Sequence, residues 1–278
     1  MKMNAVTIWQ RRLDWLTHQW WFYLIVLVLF FLPAYASTSF DPRETPELVK
    51  TVLPNSLVYT AVPPVVWPIF KIVPIALMVG VLWLGQRVGR WLALYAGVNF
   101  VLMAVLQNMA FTTTYGFAVI TGNVVVYSMV ALVWLWEAVV QESDWRVQYE
   151  PWARVWVVPL AIFAFWMPVN PVTFGPAFNP WYLVANDAGL ASCMMTPVYL
   201  ALLLRYYPRV NMTTLRVTAF AGLVTGLLNV AMWFGPYQEF WWVGVVHLPL
   251  VLISLYAFAL GWRAETASTE VGMMASAA

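Results

Sequence analysis

Long apolar runs separated by short polar segments make up most of the chain. A helix needs roughly 20 mostly apolar residues to cross the hydrocarbon core of a bilayer, and runs of about this length recur throughout the sequence. They predict eight transmembrane helices, at 20–36, 65–85, 91–110, 115–137, 154–169, 183–204, 215–234 and 241–262. The pattern therefore predicts an all-α polytopic membrane helix bundle that occupies residues 1–278 as a single membrane domain.

The composition supports the same class of protein. Hydrophobic residues make up 63% of the chain and charged residues 9%, and the mean hydropathy is +0.74. These values exclude an ordinary water-soluble globular surface. The net charge is only +2 and the basic residues are scattered singly. The sequence therefore gives no sign of a nucleic-acid partner, and the expected partner is the lipid bilayer.

The positions of Lys and Arg predict the orientation of the helices, because cytoplasmic loops carry the excess of these residues. With the N-terminus inside, eleven basic residues fall on the cytoplasmic side and three do not. Both termini are then cytoplasmic, with a flexible tail at 263–278 and an outer loop at 37–64. We expect an integral protein of the inner cell membrane. The three exceptions are Arg43, Lys50 and Lys71.

Two segments suggest a weak internal repeat. "FFLPAYASTSFDP" at 30–42 resembles "AFWMPVNPVTFGP" at 164–176, and each follows the first helix of a half. The halves would be 1–145 and 146–278, with four helices in each, and would run parallel. The alternative is that apolar helices with similar flanks look alike by chance.

The depth of a residue in the membrane follows from its distance along the helix from the inner Arg residues, at a rise of about 1.5 Å per residue. By this measure, the polar residues inside the predicted spans lie mostly toward the outer side. The inner half has no comparable set. Charged residues at membrane depth usually mark a functional site. We therefore predict an outward-facing polar pocket that binds or gates a ligand, formed by Lys71, Asp187, His247, Asn123 and Asn229.

A plainer interpretation of these residues stays open. Lys71 would reach the outer headgroups through its long side chain, and Asp187 would cap the start of the sixth helix. Single Asn residues also join neighbouring helices in ordinary membrane bundles. In the outer loop, "PELVKTVL" predicts a short helix that would serve as a lid over the pocket or as a subunit contact.

The sequence contains no familiar catalytic or metal motif. His18 and His247 are the only histidines, and the predicted topology places them on opposite sides of the membrane, so they do not form a bis-histidine haem site. No zincin helix, Walker A loop or hydrolase signature is present. We predict no metal and no cofactor, and we allow for a bound lipid.

Three classes of function remain. We favour a membrane protein that binds or carries a small solute or amphiphile through the outward-facing pocket. One alternative is a non-catalytic membrane subunit of a larger complex, such as a respiratory one, with membrane or peripheral protein partners. The other alternative is an intramembrane enzyme that acts on a lipid or isoprenoid. The absence of a His-rich or Asp-rich motif makes the enzyme less favoured.

Overall fold

A computed structural model describes residues 5–146 and 154–277. These residues are mostly helical. Their α-helices are α1 (Ala5–Leu16), α2 (Trp20–Phe30), α3 (Thr45–Val52), α4 (Leu57–Thr60), α5 (Trp67–Leu84), α6 (Gln86–Leu102), α7 (Thr121–Val140), α8 (Val157–Trp166), α9 (Ser192–Tyr206), α10 (Met212–Phe234) and α11 (Trp241–Ala277). The strands are β1 (Tyr35–Ala36), β2 (Met109–Thr112) and β3 (Gly116–Val119), which form an antiparallel sheet in the order β1-β3-β2.

Five of the described helices are long and apolar enough to cross a membrane: α5, α6, α7, α10 and α11. The number rises to seven if each of two bent helix pairs forms one span. In one pair α1 and α2 meet at 79°, and in the other the segment Pro180–Leu190 meets α9 at 100°. Helix α8 is apolar but has only 10 residues. The chain is thus a membrane-embedded helical protein, while the count of eight spans and the internal repeat stay predictions.

Large apolar side chains on the outer faces of the bundle are exposed. Val28 on α2 is 66% exposed, Trp83 on α5 is 83% exposed, and Leu132 on α7 is 65% exposed. Apolar surface on this scale is unfavourable in water but is well solvated by lipid tails. The helix surfaces therefore support the membrane assignment independently of helix length.

The bundle has two distinct ends, which we name the α1 end and the cap end. At the α1 end, Trp136 near the end of α7 donates a hydrogen bond to Gln10 of α1 at 2.6 Å. At the cap end, Gly122 at the start of α7 lies against the Phe30 carbonyl at the end of α2. The chain between α2 and α5, together with the β2–β3 hairpin, forms the cap.

The cap has its own small apolar core. Leu48 and Val52 of α3 pack with Ala110 and Ala118 of the sheet, and all four are buried. Helix α3 confirms the short helix predicted at "PELVKTVL". The role of this helix as a lid or as a subunit contact stays a prediction.

Several predicted helices extended too far toward the cap. The ends of two predicted spans, 109–110 and 115–119, belong to the β2–β3 hairpin, and Tyr35–Ala36, assigned to the first span, forms β1. The residue after the hairpin turn, Gly116 at the start of β3, has φ +61°, a conformation that favours glycine. The hydrophobic pattern extended the predicted helices into these strands, because the strands are as apolar as the helices next to them.

The predicted span 183–204 is broken. Two short 3₁₀ turns, Pro180–Leu183 and Asp187–Leu190, precede α9, which begins only at Ser192. The Asn186 side chain accepts a hydrogen bond from the Ala188 amide at 3.2 Å and so starts the second turn. Asp187 therefore lies in a turn that enters the bundle, not inside a continuous transmembrane helix.

The main core lies between the longer helices. Trp134 of α7 and Tyr199 of α9 are fully buried, with their ring centroids 5.4 Å apart. Gly222 and Gly226 of α10, spaced as in a GxxxG motif, lie against Ser254 and Leu250 of α11. Small residues at such an interface let two helix backbones approach closely, which is a principal source of helix association in membranes.

Candidate functional site

Lys71 is a completely buried cation at the cap half of α5, with 0% of its surface exposed. Its Nζ donates a hydrogen bond to the carbonyl oxygen of Phe165 and lies 4.0 Å from the centroid of the Phe165 ring. Phe165 lies in the last turn of α8, where the unpaired carbonyls carry partial negative charge. The helix end and the aromatic face together stabilise the ammonium group.

Asp187 lies beside α5 in the turn Asp187–Leu190. Its Oδ2 accepts a hydrogen bond of 2.6 Å from the hydroxyl of Tyr59, which belongs to α4 in the cap. The Tyr59 hydroxyl is the donor, because an ionised carboxylate can only accept hydrogen bonds. Lys71 and Asp187 are within electrostatic range of each other. The structure therefore brings the two charges into one region and gives each a nearer partner of its own.

Polar side chains from two other helices hold the backbone of the broken segment. Asn99 of α6 donates to the Gly189 carbonyl at 3.0 Å and accepts from the Tyr199 hydroxyl at 2.8 Å. The Gln107 side-chain oxygen accepts from the Ser192 amide at 2.9 Å. Irregular backbone at membrane depth requires such partners, because no water is available in hydrocarbon to bind its amides and carbonyls.

Close packing presses the same turn against α5. A Cβ atom added to Gly189 would lie 2.5 Å from the carbonyl oxygen of Phe70, the residue before Lys71. No residue larger than glycine fits there without moving backbone. The turn that carries Asp187 is therefore held at one position along α5, and Lys71 lies next to the point of contact.

The two other asparagines of the predicted pocket belong to separate contacts. Asn123 donates to the Asn108 side chain at 2.8 Å, at the junction of α6 and α7. Asn229 donates to the Thr225 carbonyl at 2.9 Å within α10, and the Thr225 hydroxyl is 2.8 Å from the hydroxyl of Tyr127. Each asparagine thus makes a structural hydrogen bond to a partner other than Lys71 or Asp187.

His247 is buried, 5% exposed, and its Nδ1 lies 2.7 Å from the Val243 carbonyl one turn earlier in α11. The other histidine, His18, stacks on Trp262 with the ring centroids 5.0 Å apart. The fifteen positions between His247 and Trp262 on α11 correspond to about 22 Å of helix. The two histidines therefore lie toward different ends of the bundle.

Three residues of this region were not predicted from the sequence: Tyr59, Asn99 and Asn186. Of the three, only Asn99 could have been found from the sequence, because it is a single amide inside the apolar run of α6. Tyr59 lies in the predicted outer loop 37–64, and Asn186 lies near the start of the predicted span 183–204, so neither stands out in the sequence pattern. In the part of the chain that the structure describes, no three His, Cys, Asp or Glu residues lie together as metal ligands do.

A second polar network, at the α1 end, contradicts the expectation that the inner half of the spans lacks polar residues. Glu137 of α7 is 1% exposed and accepts hydrogen bonds from the Ser143 amide at 3.0 Å and the Asn211 side chain at 2.9 Å. Gln10 of α1 donates to the Asn211 oxygen at 3.3 Å. Glu137 is the last residue of the predicted span 115–137, and its position at the end of an apolar run gives no sign of its burial.

Helix α1 is fastened to the bundle through the same network. Thr213 donates to the Asp14 carboxylate at 2.6 Å. Arg216, only 2% exposed, donates to the Gly261 carbonyl at 2.8 Å and to the Asp14 carbonyl at 3.4 Å. These bonds join α1, α10 and α11 at one point and give a buried guanidinium several acceptors.

Comparison with protein-family models, with curated proteins and with solved structures finds no significant match to this chain.

Proposed function

We propose that this membrane protein binds and carries a small solute or amphiphile whose polar head contacts Lys71 and Asp187. One observation carries the proposal: a fully buried lysine lies beside a break in a membrane-depth segment, next to a carboxylate. Ionisable residues at such depth are costly and are characteristic of substrate or ion sites. Broken helices supply the same sites in many transporters, because their unpaired backbone groups can bind polar ligands.

The charges favour a ligand with an anionic group and a hydrogen-bond donor. The Lys71 ammonium has three donor hydrogens, and the Phe165 carbonyl accepts one of them. Asp187 has a second oxygen besides the one bonded to Tyr59. A ligand that bound both Lys71 and Asp187 would be held more tightly than a ligand that bound only one of them.

The cap supplies a means of controlling access. The Tyr59–Asp187 hydrogen bond joins α4 directly to the broken segment, and α3 and α4 belong to the same loop over the bundle. A ligand that bound Asp187 would compete with Tyr59 for the carboxylate. Binding would then release this contact between the cap and the bundle, which is the behaviour of a gate.

Native mass spectrometry of the detergent-solubilised protein tests the proposal. The wild-type protein should carry a small molecule of defined mass, and Lys71→Met or Asp187→Asn should lower its occupancy. Loss of a charged hydrogen bond costs about 1.5–3 kcal/mol, which is roughly tenfold or more in affinity. Lys50→Met is the matched control, because Lys50 lies exposed on α3, where it pairs with Glu47 at 3.5 Å and lies 5.3 Å from the centroid of the Tyr237 ring.

Equal occupancy in the wild type and all variants, or no small molecule in any of them, would contradict the proposal. A co-purified protein in place of a small molecule would favour the alternative of a complex subunit. The Asp187→Asn change keeps the size and shape of the side chain, so this arm remains informative if Lys71→Met does not fold.

A further inference from the structure

A groove of about 480 Å³ opens between α2, α10 and α11 at the α1 end of the bundle. Its volume is in the range of binding sites for small molecules. Among the described residues, the lining is mostly aromatic and includes one guanidinium. The residues that form it include Trp20, Tyr23, Phe220, Phe258, Trp262 and Arg263.

The walls of this aromatic groove are held in place by contacts with one another. The Tyr23 ring centroid lies 4.8 Å from that of Phe220 and 4.9 Å from that of Phe258. The Tyr23 hydroxyl donates to the Thr17 carbonyl, and the stacking of His18 on Trp262 fixes the far wall. The groove is therefore preformed, which lowers the entropic cost of binding.

The groove lies where a membrane surface meets its hydrocarbon core. Helix α1 is bent by 79° from α2, and therefore runs roughly along the membrane surface if α2 crosses it. Its outer face presents Trp9 and Trp15, which are 55% and 61% exposed, together with the exposed side chains of Arg11 and Arg12. An aromatic and basic helix face of this kind is typical of segments that lie in the headgroup region.

We propose that the aromatic groove binds one anionic phospholipid from the leaflet on the α1 side. An acyl chain lies along Phe220 and Phe258, and the headgroup phosphate contacts Arg263 at the end of the groove. Arginine suits a phosphate because its guanidinium donates two parallel hydrogen bonds. The basic face of α1 adds a further attraction for the same leaflet. This site is separate from the Lys71–Asp187 region and does not depend on the function proposed there.

Titration of the delipidated protein, in neutral detergent, with phosphatidylglycerol or phosphatidylcholine of identical acyl chains tests this inference by native mass spectrometry. The wild-type protein should prefer phosphatidylglycerol by about fivefold, the factor that corresponds to about 1 kcal/mol for one basic residue near a membrane surface. Arg263→Gln should abolish the preference and leave phosphatidylcholine binding unchanged. Ala259→Trp, which fills the groove, should weaken the binding of both lipids.

Arg90→Gln is the matched control, because Arg90 is an exposed arginine on α6 outside the groove. It should retain the wild-type preference. An equal loss in Arg90→Gln and Arg263→Gln would show attraction to overall charge and overturn the site. If Ala259→Trp fails to fold, Phe258→Ala is used in its place. Unchanged lipid binding in whichever variant is used would also overturn the proposed site. Inorganic phosphate should not displace the lipid; displacement would show an anion site without a lipid chain and would contradict the proposal.

Discussion

At the scale of single residues, the ammonium of Lys71 is stabilised by a helix end and an aromatic ring, and the carboxylate of Asp187 by a phenol. A buried charge is tolerated only when other groups replace its lost hydration. Here the replacing groups are mainly neutral, so the charges attract each other over a longer distance.

A double-mutant cycle on thermal stability in detergent distinguishes these contacts. Tyr59→Phe and Asp187→Asn should show a coupling energy of about 1 kcal/mol, because each removes one end of the same hydrogen bond. Lys71→Met and Asp187→Asn should couple more weakly, because the charges have nearer partners. Additivity of the first pair within about 0.5 kcal/mol would show that the Tyr59–Asp187 bond is absent in solution.

At the scale of elements, glycines decide where helices approach each other and where the chain turns. Gly189 lets the Asp187 turn contact α5, and Gly122 lets the start of α7 contact the end of α2. At Gly122 an added Cβ would lie 2.1 Å from the Phe30 carbonyl oxygen and 2.9 Å from that of Leu29. Both neighbours are backbone atoms, which cannot move aside as a flexible side chain does.

Gly122→Ala should therefore lower the thermal midpoint of the solubilised protein. Alanine favours the helix by about 1 kcal/mol over glycine, but overpacking against fixed backbone costs typically about 1–3 kcal/mol, and the short contact places this site at the upper end. Gly175→Ala is the control, since the nearest atom to its added Cβ is 3.5 Å away. A midpoint for Gly122→Ala at or above that of Gly175→Ala would show that α2 and α7 are not in this contact.

At the scale of the whole molecule, the bundle is asymmetric between its two ends. The cap end carries the small sheet and α3, whereas the α1 end carries a surface helix and the buried network around Glu137 and Arg216. The excess of Lys and Arg predicts that the α1 end is cytoplasmic. The cap, with the Tyr59–Asp187 contact, would then face outward.

Thiol labelling of intact cells measures this orientation. After replacement of Cys193, single cysteines at Ser39 and Gln238 should react with a membrane-impermeant reagent, and one at Gln141 should react only after the cells are permeabilised. All three positions are exposed in the structure, so protection reports the membrane and not burial in the protein. Reaction at Gln141 without reaction at Ser39 would reverse the predicted topology.

The amino-acid sequence by itself determined that this is a helical membrane protein, because apolar length and composition act locally and additively. It also identified α3, and it singled out Lys71 and Asp187 by their charge. Two long helices, α5 and α10, were placed closely at both ends, whereas the predicted bounds of α6, α7 and α11 differ by several residues or more.

Only the tertiary structure decided what these residues contact. The break before α9 depends on Asn99 of α6 and on Gln107, which follows α6. The β2–β3 hairpin depends on pairing with β1, so neither feature is visible in the hydrophobic pattern of its own segment. The burial of Glu137 likewise depends on Asn211, far along the chain. In each case a polar group forms a hydrogen bond with a residue far away in the sequence. The sequence pattern gives the hydrophobicity and periodicity of a segment but not which segments meet, so it predicts such a group to be exposed to solvent.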